Sequence, residues 1–284
     1  MINNAVEERE KEFHFTDKEF RFISKLVGER TGIVLSDAKR QMVYGRLSRR
    51  LRQLKLTKFS DYCDLLTSGH ESELIEFTNA ITTNLTAFFR ENHHFEYLKN
   101  TVLPELIRKN ALSKRLRIWS AGCSSGEEPY SIAMCVREAL SKSSGWDVKI
   151  LATDLDSNMV QRGKDGIYTT ERVEGLTNAR MKKWIKRGTG DNADKVRMSQ
   201  DLRDIVTFKE LNLMHDWPIK GPFDFMFCRN VVIYFNKDTQ RELFSRYADL
   251  LANDAHLFIG HSESLNKVTD RFNLIGKTIY QKVK

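Results

Sequence analysis

The hydrophobic periodicity of this chain changes character once, and that change limits the folds open to it. From residue 16 to about 80 the apolar spacing is helical only. From Leu116 onward, short apolar strands alternate with helical runs. Thr16-Asp17-Lys18-Glu19 reads as a capping box ahead of Phe20, Ile23, Leu26 and Val27, and Gly32 stops that helix. Ser36 or Asp37 opens a second helix with Met42, Val43, Leu47, Leu51 and Leu54 on one stripe. Ser60-Asp61 caps a third, and Glu71 to Ala80 forms a fourth. Residues 81–113 continue as helix with polar interruptions and bridge into the second half.

In that second half, strands are expected at Leu116–Ser120, Val148–Thr153, Ile205–Phe208, Phe225–Cys228 and His256–Ile259. Helices are expected at Glu127–Ser141, from Ser157, and at Lys237–Leu251, with a closing strand or hairpin over Phe272–Val283. This alternation implies a mostly parallel sheet covered on both faces. The stretch from Gly166 to about Val206 is too long for a crossover loop and reads as an inserted subdomain. It holds a helix at Asn178–Lys186, a Gly188-Thr189-Gly190 turn and a short strand at Lys195–Met198.

Several classes are excluded at this point. No stretch approaches the roughly 20 uncharged apolar residues of a membrane span, since Phe223–Phe235 is broken by Asp224, Arg229 and Asn230. The acidic N-terminal residues lack the apolar region of a signal peptide. Cys63, Cys123, Cys135 and Cys228 have no CxxC spacing, so a reduced cytoplasm is expected, with Cys123 and Cys228 as free core thiols. The net charge is +8, which favours an acidic partner. Eight Lys or Arg and no carboxylate lie between Ala38 and Lys58. Such a run cannot be laced by its own i,i+4 pairs, which makes it a candidate docking surface as well as a solvated face.

Three segments carry chemistry. Ser120-Ala121-Gly122-Cys123-Ser124-Ser125-Gly126-Glu127-Glu128 ends a strand, turns on small residues and starts a helix. It is neither GxGxxG nor a P-loop, and two carboxylates stand where a pyrophosphate would sit. They suit an amino group or a sulfonium, although the helix dipole alone accounts for one of them. Asp154 ends the second strand, where an acid accepts hydrogen bonds from ribose hydroxyls, whereas Asp156 suits a helix cap. A ligand with ribose but no phosphate fits, as S-adenosylmethionine does. Third, the apolar strand Phe223–Cys228 runs directly into Arg229-Asn230. No HExxH or GxSxG occurs, and His93 and His94, adjacent on a helix, are expected to diverge, so no metal is expected.

The chain resembles the chemotaxis receptor methyltransferases, the CheR family, through a series of segments in a fixed order. These are Thr82-Thr83-Asn84-Leu85-Thr86-Ala87-Phe88-Phe89-Arg90, Ser124-Ser125-Gly126-Glu127-Glu128-Pro129-Tyr130-Ser131, Ala152-Thr153-Asp154, Asn212-Leu213, Phe227-Cys228-Arg229-Asn230-Val231-Val232-Ile233-Tyr234-Phe235 and Gly260-His261-Ser262-Glu263-Ser264. The resemblance implies an α/β fold, a doubly wound Rossmann-like class I methyltransferase sheet with a small antiparallel β-subdomain insertion, preceded by an all-α N-terminal domain. It implies a receptor-docking domain over 1–80, a helical linker over 81–113, and a catalytic domain over 114–284 with its insertion at about 166–206. Asn84, Thr86 and Arg90 would line the donor S-adenosylmethionine, Glu128 would meet its amino group and Asp154 its ribose. Asn212 and Leu213 would border adenine, Arg229 and Asn230 would close the pocket, and Arg90 and Tyr234 would lie beside the transferable methyl.

The implied reaction esterifies receptor glutamates and releases S-adenosylhomocysteine. The implied partners are the cytoplasmic domain of methyl-accepting receptors and, through an edge strand at Lys195–Met198, the receptor's C-terminal tail peptide. A cytoplasmic monomer recruited to receptor arrays is expected, with no nucleic acid bound and no membrane insertion. The competing readings are a nucleic-acid methyltransferase, favoured by charge alone, and a donor-binding adaptor without activity.

Overall fold

A computed structural model describes residues 12–140 and 145–283. The N-terminal residues weighed as a signal peptide and Ser141, the expected end of a helix, therefore lie outside the described residues. The chain divides into two compact units, Met1–Thr82 and Thr83–Lys284.

The first unit is helical: α1 (Asp17–Thr31), α2 (Arg40–Leu54) after a 3-10 turn at Asp37–Lys39, α3 (Phe59–Thr67) and α4 (Glu71–Ile81). The capping box forms reciprocally. Thr16 Oγ1 accepts from the Glu19 amide at 3.3 Å, and Glu19 Oε2 accepts from the Thr16 amide at 2.6 Å. The stripes converge on a core that includes Ile23, Val27, Val43, Leu47, Leu51, Phe59, Tyr62 and Phe77. Helix α3 begins one residue before its expected cap, so Ser60 and Asp61 lie in the first turn and Lys58 takes the capping position.

The basic run on α2 is laced after all, by carboxylates from other segments. Arg50 donates to both oxygens of buried Glu73 on α4 at 2.9 and 3.1 Å, and Glu73 also accepts from the Tyr62 hydroxyl at 2.8 Å. Arg40 pairs with Asp17, and Arg52 with Glu12. The Arg46 guanidinium donates to the Ile81 and Thr82 carbonyls. Lys39, Arg49, Lys55 and Lys58 remain exposed. Glu73→Ala should cost this unit about 3 kcal/mol, because it strands a largely buried guanidinium and a buried hydroxyl together. A urea titration checks this, and an unchanged first transition would mean that the pair does not hold α2 to α4.

The second unit begins with a stretch, Thr83–Asn92, that is not helical as expected. Phe89 and Glu91 have φ of 55° and 57°, left-handed values that a continuous helix does not contain. Helix starts only at α5 (His93–Tyr97) and runs through a π turn (Leu98–Val102) into α6 (Leu103–Lys109).

Next come β1 (Arg115–Ala121), α7 (Glu127–Ala139), β2 (Asp147–Asp154) and α8 (Ser157–Asp165). The insertion holds β3 (Ile167–Thr169), α9 (Thr170–Val173), α10 (Asn178–Trp184), β4 (Ile185–Arg187), β5 (Lys195–Met198) and α11 (Gln200–Arg203). The chain then returns through β6 (Val206–Glu210), β7 (Phe223–Cys228), α12 (Lys237–Leu250), β8 (Leu251–Ile259) and the hairpin β9 (Phe272–Gly276) and β10 (Ile279–Lys282).

The main sheet has the order β6-β2-β1-β7-β8-β10-β9. The first five strands are parallel, β10 runs antiparallel to β8, and β9 runs antiparallel to β10. Alternate residues feed two cores. Ile118, Ile150, Phe225 and Phe227 enter one, while Trp119, Ala121, Met226 and Cys228 enter the other with Phe244 and Tyr247 of α12. Strand order reverses between β1 and β7, which places the ligand crevice of such a sheet at their carboxyl ends.

The small antiparallel sheet has the order β3-β5-β4. Val196 and Met198 of β5 point inward as expected, while Lys195 and Arg197 are exposed. However, β5 is the central strand, paired to β3 on one side and β4 on the other. It offers no open edge, and the edge strands are β3 and β4. Among the described residues no helix is long and apolar enough to cross a membrane.

Candidate active site

Five loops meet at the carboxyl ends of the parallel strands. The loop after β1 turns at Gly122, whose φ is +73° and whose position a Cβ would fill only by approaching Val231 Cγ2 to 2.2 Å. Its Ser124 amide donates to Asp154 Oδ2 at 2.7 Å, and the Asp156 amide donates to Asp154 Oδ1 at 3.0 Å. Asp156 itself caps α8, accepting from the Asn158 and Met159 amides, as its place after Asp154 suggested. Asp154 is therefore held rigidly by two backbone donors and keeps lone pairs for further ones. Burial raises its pKa to about 6 against the lowering effect of those two amides.

The two glutamates of the turn part company. Glu127 is fully buried, accepts from Ser125 Oγ at 2.7 Å and pairs with Arg172 of α9 at 3.2 Å. Glu128 accepts from Ser120 Oγ at 2.7 Å and faces Arg229 Nε at 3.7 Å, with its side chain 11% exposed. Burial pushes its pKa up, and Arg229 opposes that.

Arg229 is the electrostatic centre. Its Nε lies 3.7 Å from both Glu128 and Glu91, its Nη2 donates to the Arg90 carbonyl at 2.5 Å, and its guanidinium sits near the rings of Phe95 and Phe227. Its buried Nε and Nη1 have no hydrogen-bond partner. A buried carboxylate beside orphaned guanidinium donors suits a zwitterion, the ammonium on one and a carboxylate on the other.

The Thr83–Asn92 stretch forms a wall of this region. Asn84 Nδ2 donates to Asp156 at 2.7 Å, and its carbonyl accepts from Ser124 Oγ at 3.0 Å. Half-buried Thr86 offers its carbonyl to Arg172. The Arg90 guanidinium donates to the Leu85 carbonyl at 2.7 Å. On the far side, Asn212 Oδ1 accepts from the Met214 amide, and the Leu211 amide bonds to the Asp154 carbonyl. The Leu213 side chain packs into the core beneath. Asn230 has φ of 59° and leads into a one-turn 3-10 helix, Val232–Tyr234, at whose end Tyr234 is half-exposed. Among the described residues no hydrogen bond or ring contact joins Tyr234 to Arg90.

Residues 18–82 match the family described as CheR methyltransferase, all-alpha domain, and residues 84–281 match CheR methyltransferase, SAM binding domain. This chain belongs to the CheR methyltransferases. The chemotaxis protein methyltransferase of Escherichia coli strain K12 is 45% identical over 268 residues, which is 93% of this chain and 91% of that protein. Chemotaxis protein methyltransferase 2 of Pseudomonas aeruginosa is 44% identical over 271 residues, 95% of each chain. The probable chemotaxis protein methyltransferase of Rhizobium etli is 42% identical over 252 residues, 88% of this chain and 94% of that protein.

The protein is thus an S-adenosylmethionine-dependent methyltransferase. The residues present fit that donor: a buried acid at the end of β2 and a carboxylate–guanidinium pair at the β1–β7 switch, with no phosphate-binding feature among the described residues. Sequence reasoning missed Glu91. Its carboxylate bonds His261 Nδ1 at 2.8 Å and lies 3.7 Å from Arg229. Burial raises its pKa, but the His261 bond and Arg229 outweigh that and leave it low. Its place next to Arg90 was the only available signal. His93 and His94 do not diverge as expected. Both rings reach the Lys277 carbonyl at 3.2 Å with centroids 4.1 Å apart. Burial, followed by the nearby Arg229, lowers the His94 pKa to about 3, so it is neutral at pH 7.

Proposed function

We propose that this protein methylates glutamate side chains on the cytoplasmic domain of membrane chemoreceptors, forming γ-methyl esters. The observation that carries the reading is the 45% identity to a chemotaxis protein methyltransferase across 93% of this chain. The chemistry is consistent with it. A glutamate with a pKa of about 4.3 is already ionised at neutral pH, so the site needs no general base. S-adenosylmethionine supplies the electrophilic methyl group. In this reading Asp154 accepts the ribose hydroxyls, and Glu128 and Arg229 take the amino-acid end. Asn84 and Thr86 on one side and Asn212, Leu213 and Asn230 on the other border the same ligand.

The acceptor carboxylate must lie within roughly 3–3.5 Å of the methyl, in line with the bond that breaks. Arg90 orients it through the planar guanidinium fork, and Tyr234 shapes the acceptor side. One carboxylate oxygen gains the methyl, and the carbon–sulfur bond electrons leave with S-adenosylhomocysteine.

The first unit docks the acidic receptor through exposed Lys39, Arg49, Lys55 and Lys58, since the other basic residues of the run are held by carboxylates or helix-end carbonyls of other segments of the unit. A receptor tail peptide would add as an extra strand to β4 or β3, the edges that are open to one. The protein works as a cytoplasmic monomer recruited to receptor arrays.

Incubation with receptor-bearing membranes and methyl-labelled donor tests the reading. Base-labile counts released as volatile methanol are expected, with lower rates on receptors lacking their tails. Counts that survive base, or that appear on nucleic acid, would overturn it.

A further inference from the structure

The segment Gly260–Ser264 after β8 has no part in the reading above, yet it contains a carboxylate with an unusual set of partners. Glu263 is 6% exposed. It accepts from the backbone amides of Asn230, Val231 and Val232 at 2.9 Å each, Ile233 at 3.4 Å and Gly260 at 2.5 Å. Four consecutive amides of one loop therefore converge on a single side chain. Such convergence requires the chain to curl, and Asn230 at φ 59° followed by the Val232–Tyr234 turn supplies the curl. The other end of the turn is held separately, by Gln240 Nε2 donating to the Val232 and Phe235 carbonyls at 2.9 and 3.1 Å.

We propose that Glu263 is a positioning residue for methyl transfer, fixing the Asn230–Ile233 backbone so that Tyr234 is presented to the acceptor. This rests on the role given to Tyr234 above. Glu263 touches neither donor nor acceptor in this scheme, and its whole effect passes through the loop. Arg229, at the root of that loop, is anchored independently by Arg90, Glu91 and Glu128. Losing Glu263 should therefore disturb the acceptor side most, and reach the donor only through Asn230 at the edge of its pocket.

The test is a double-mutant cycle on the full chain with Glu263→Gln, Tyr234→Phe and the pair, reading kcat, both KM values, S-adenosylhomocysteine affinity and the melting temperature. Glu263→Gln is expected to lower kcat on the order of 10- to 100-fold, as a misplaced group does. Donor affinity, which depends on this loop only through Asn230, should change by a much smaller factor than kcat. The pair should be no slower than the slower single variant. Multiplicative effects in the pair, or a full kcat in Glu263→Gln beside an impaired Tyr234→Phe, would overturn the proposal and leave the Tyr234 role standing. A full kcat in Tyr234→Phe alone would instead sink that role. If the glutamine variant does not fold, Glu263→Asp, which keeps the charge on a shorter arm, runs the same cycle with the same criteria.

Discussion

Arg90→Ala should lower kcat on the order of 10²-fold or more, with donor affinity changed far less. The guanidinium is attached to the Leu85 carbonyl by one amino group, which leaves most of its fork for a carboxylate in the proposed geometry. Without it, an acceptor glutamate entering the site meets no planar partner. It must be desolvated and aimed at the methyl by contacts elsewhere. Arg90→Lys should restore only part of the rate, because an ammonium neutralises charge without fixing the carboxylate plane. Single-turnover assays on receptor membranes separate this from a binding defect. A wild-type rate in the alanine variant would remove Arg90 from the chemical step.

Asp154→Ala should weaken S-adenosylhomocysteine by roughly 10- to 150-fold, the equivalent of about 1.5–3 kcal/mol for a charge-assisted hydrogen bond. The same residue sets a pH dependence. Its folded pKa is raised to about 6 by burial, so without a ligand it carries a proton below that value. Ribose hydroxyls donate to the ionised form. Donor affinity should therefore fall as pH drops through about 6, and binding near that pH should release a proton. Calorimetry in buffers of different ionisation enthalpy reads the proton directly. Asp154→Asn should abolish the release, and a pH-independent affinity in the parent would take this carboxylate out of the ribose site. For the fold itself the sign is opposite. An acid with a raised folded pKa favours folding most at low pH and loses that contribution as pH rises towards 6.

Sequence was most informative where local chemistry decides structure. The Thr16–Glu19 box, the strand cores and the Asp156 cap all depend on neighbours a few residues away, and all appear as expected. The turn Ser124–Glu128 announced itself for the same reason. What could not be read was set by distant partners. Thr83–Asn92 looked helical, yet its path depends on Asn84 reaching Asp156, the Phe89 amide bonding Ser131 and Arg180 stacking 3.9 Å from the Phe89 ring. The basic run looked unpaired because Glu12, Asp17 and Glu73 lie 23 to 40 residues away in sequence. The alternation in Lys195–Met198 correctly separated its inner and outer faces. Alternation has no term for which strands flank it, so the central position of β5 was beyond it.

The close packing of the loops after β1, β7 and β8 has a consequence for how such an enzyme changes over time. A single methyl group added at Gly122 would press on Val231, and one added at Gly260 would come within 2.4 Å of Asn230 Nδ2 and 2.8 Å of its backbone nitrogen. Both substitutions strike the same loop. The innermost walls are thus mutually locked, and any step at one demands simultaneous accommodation at another. Leu85 and Ile233, 77% and 47% exposed on segments that carry Arg90 and Tyr234, are under no such constraint. If the proposed roles of Arg90 and Tyr234 hold, new acceptor preferences can be acquired there one substitution at a time, while the donor chamber is inherited as a block.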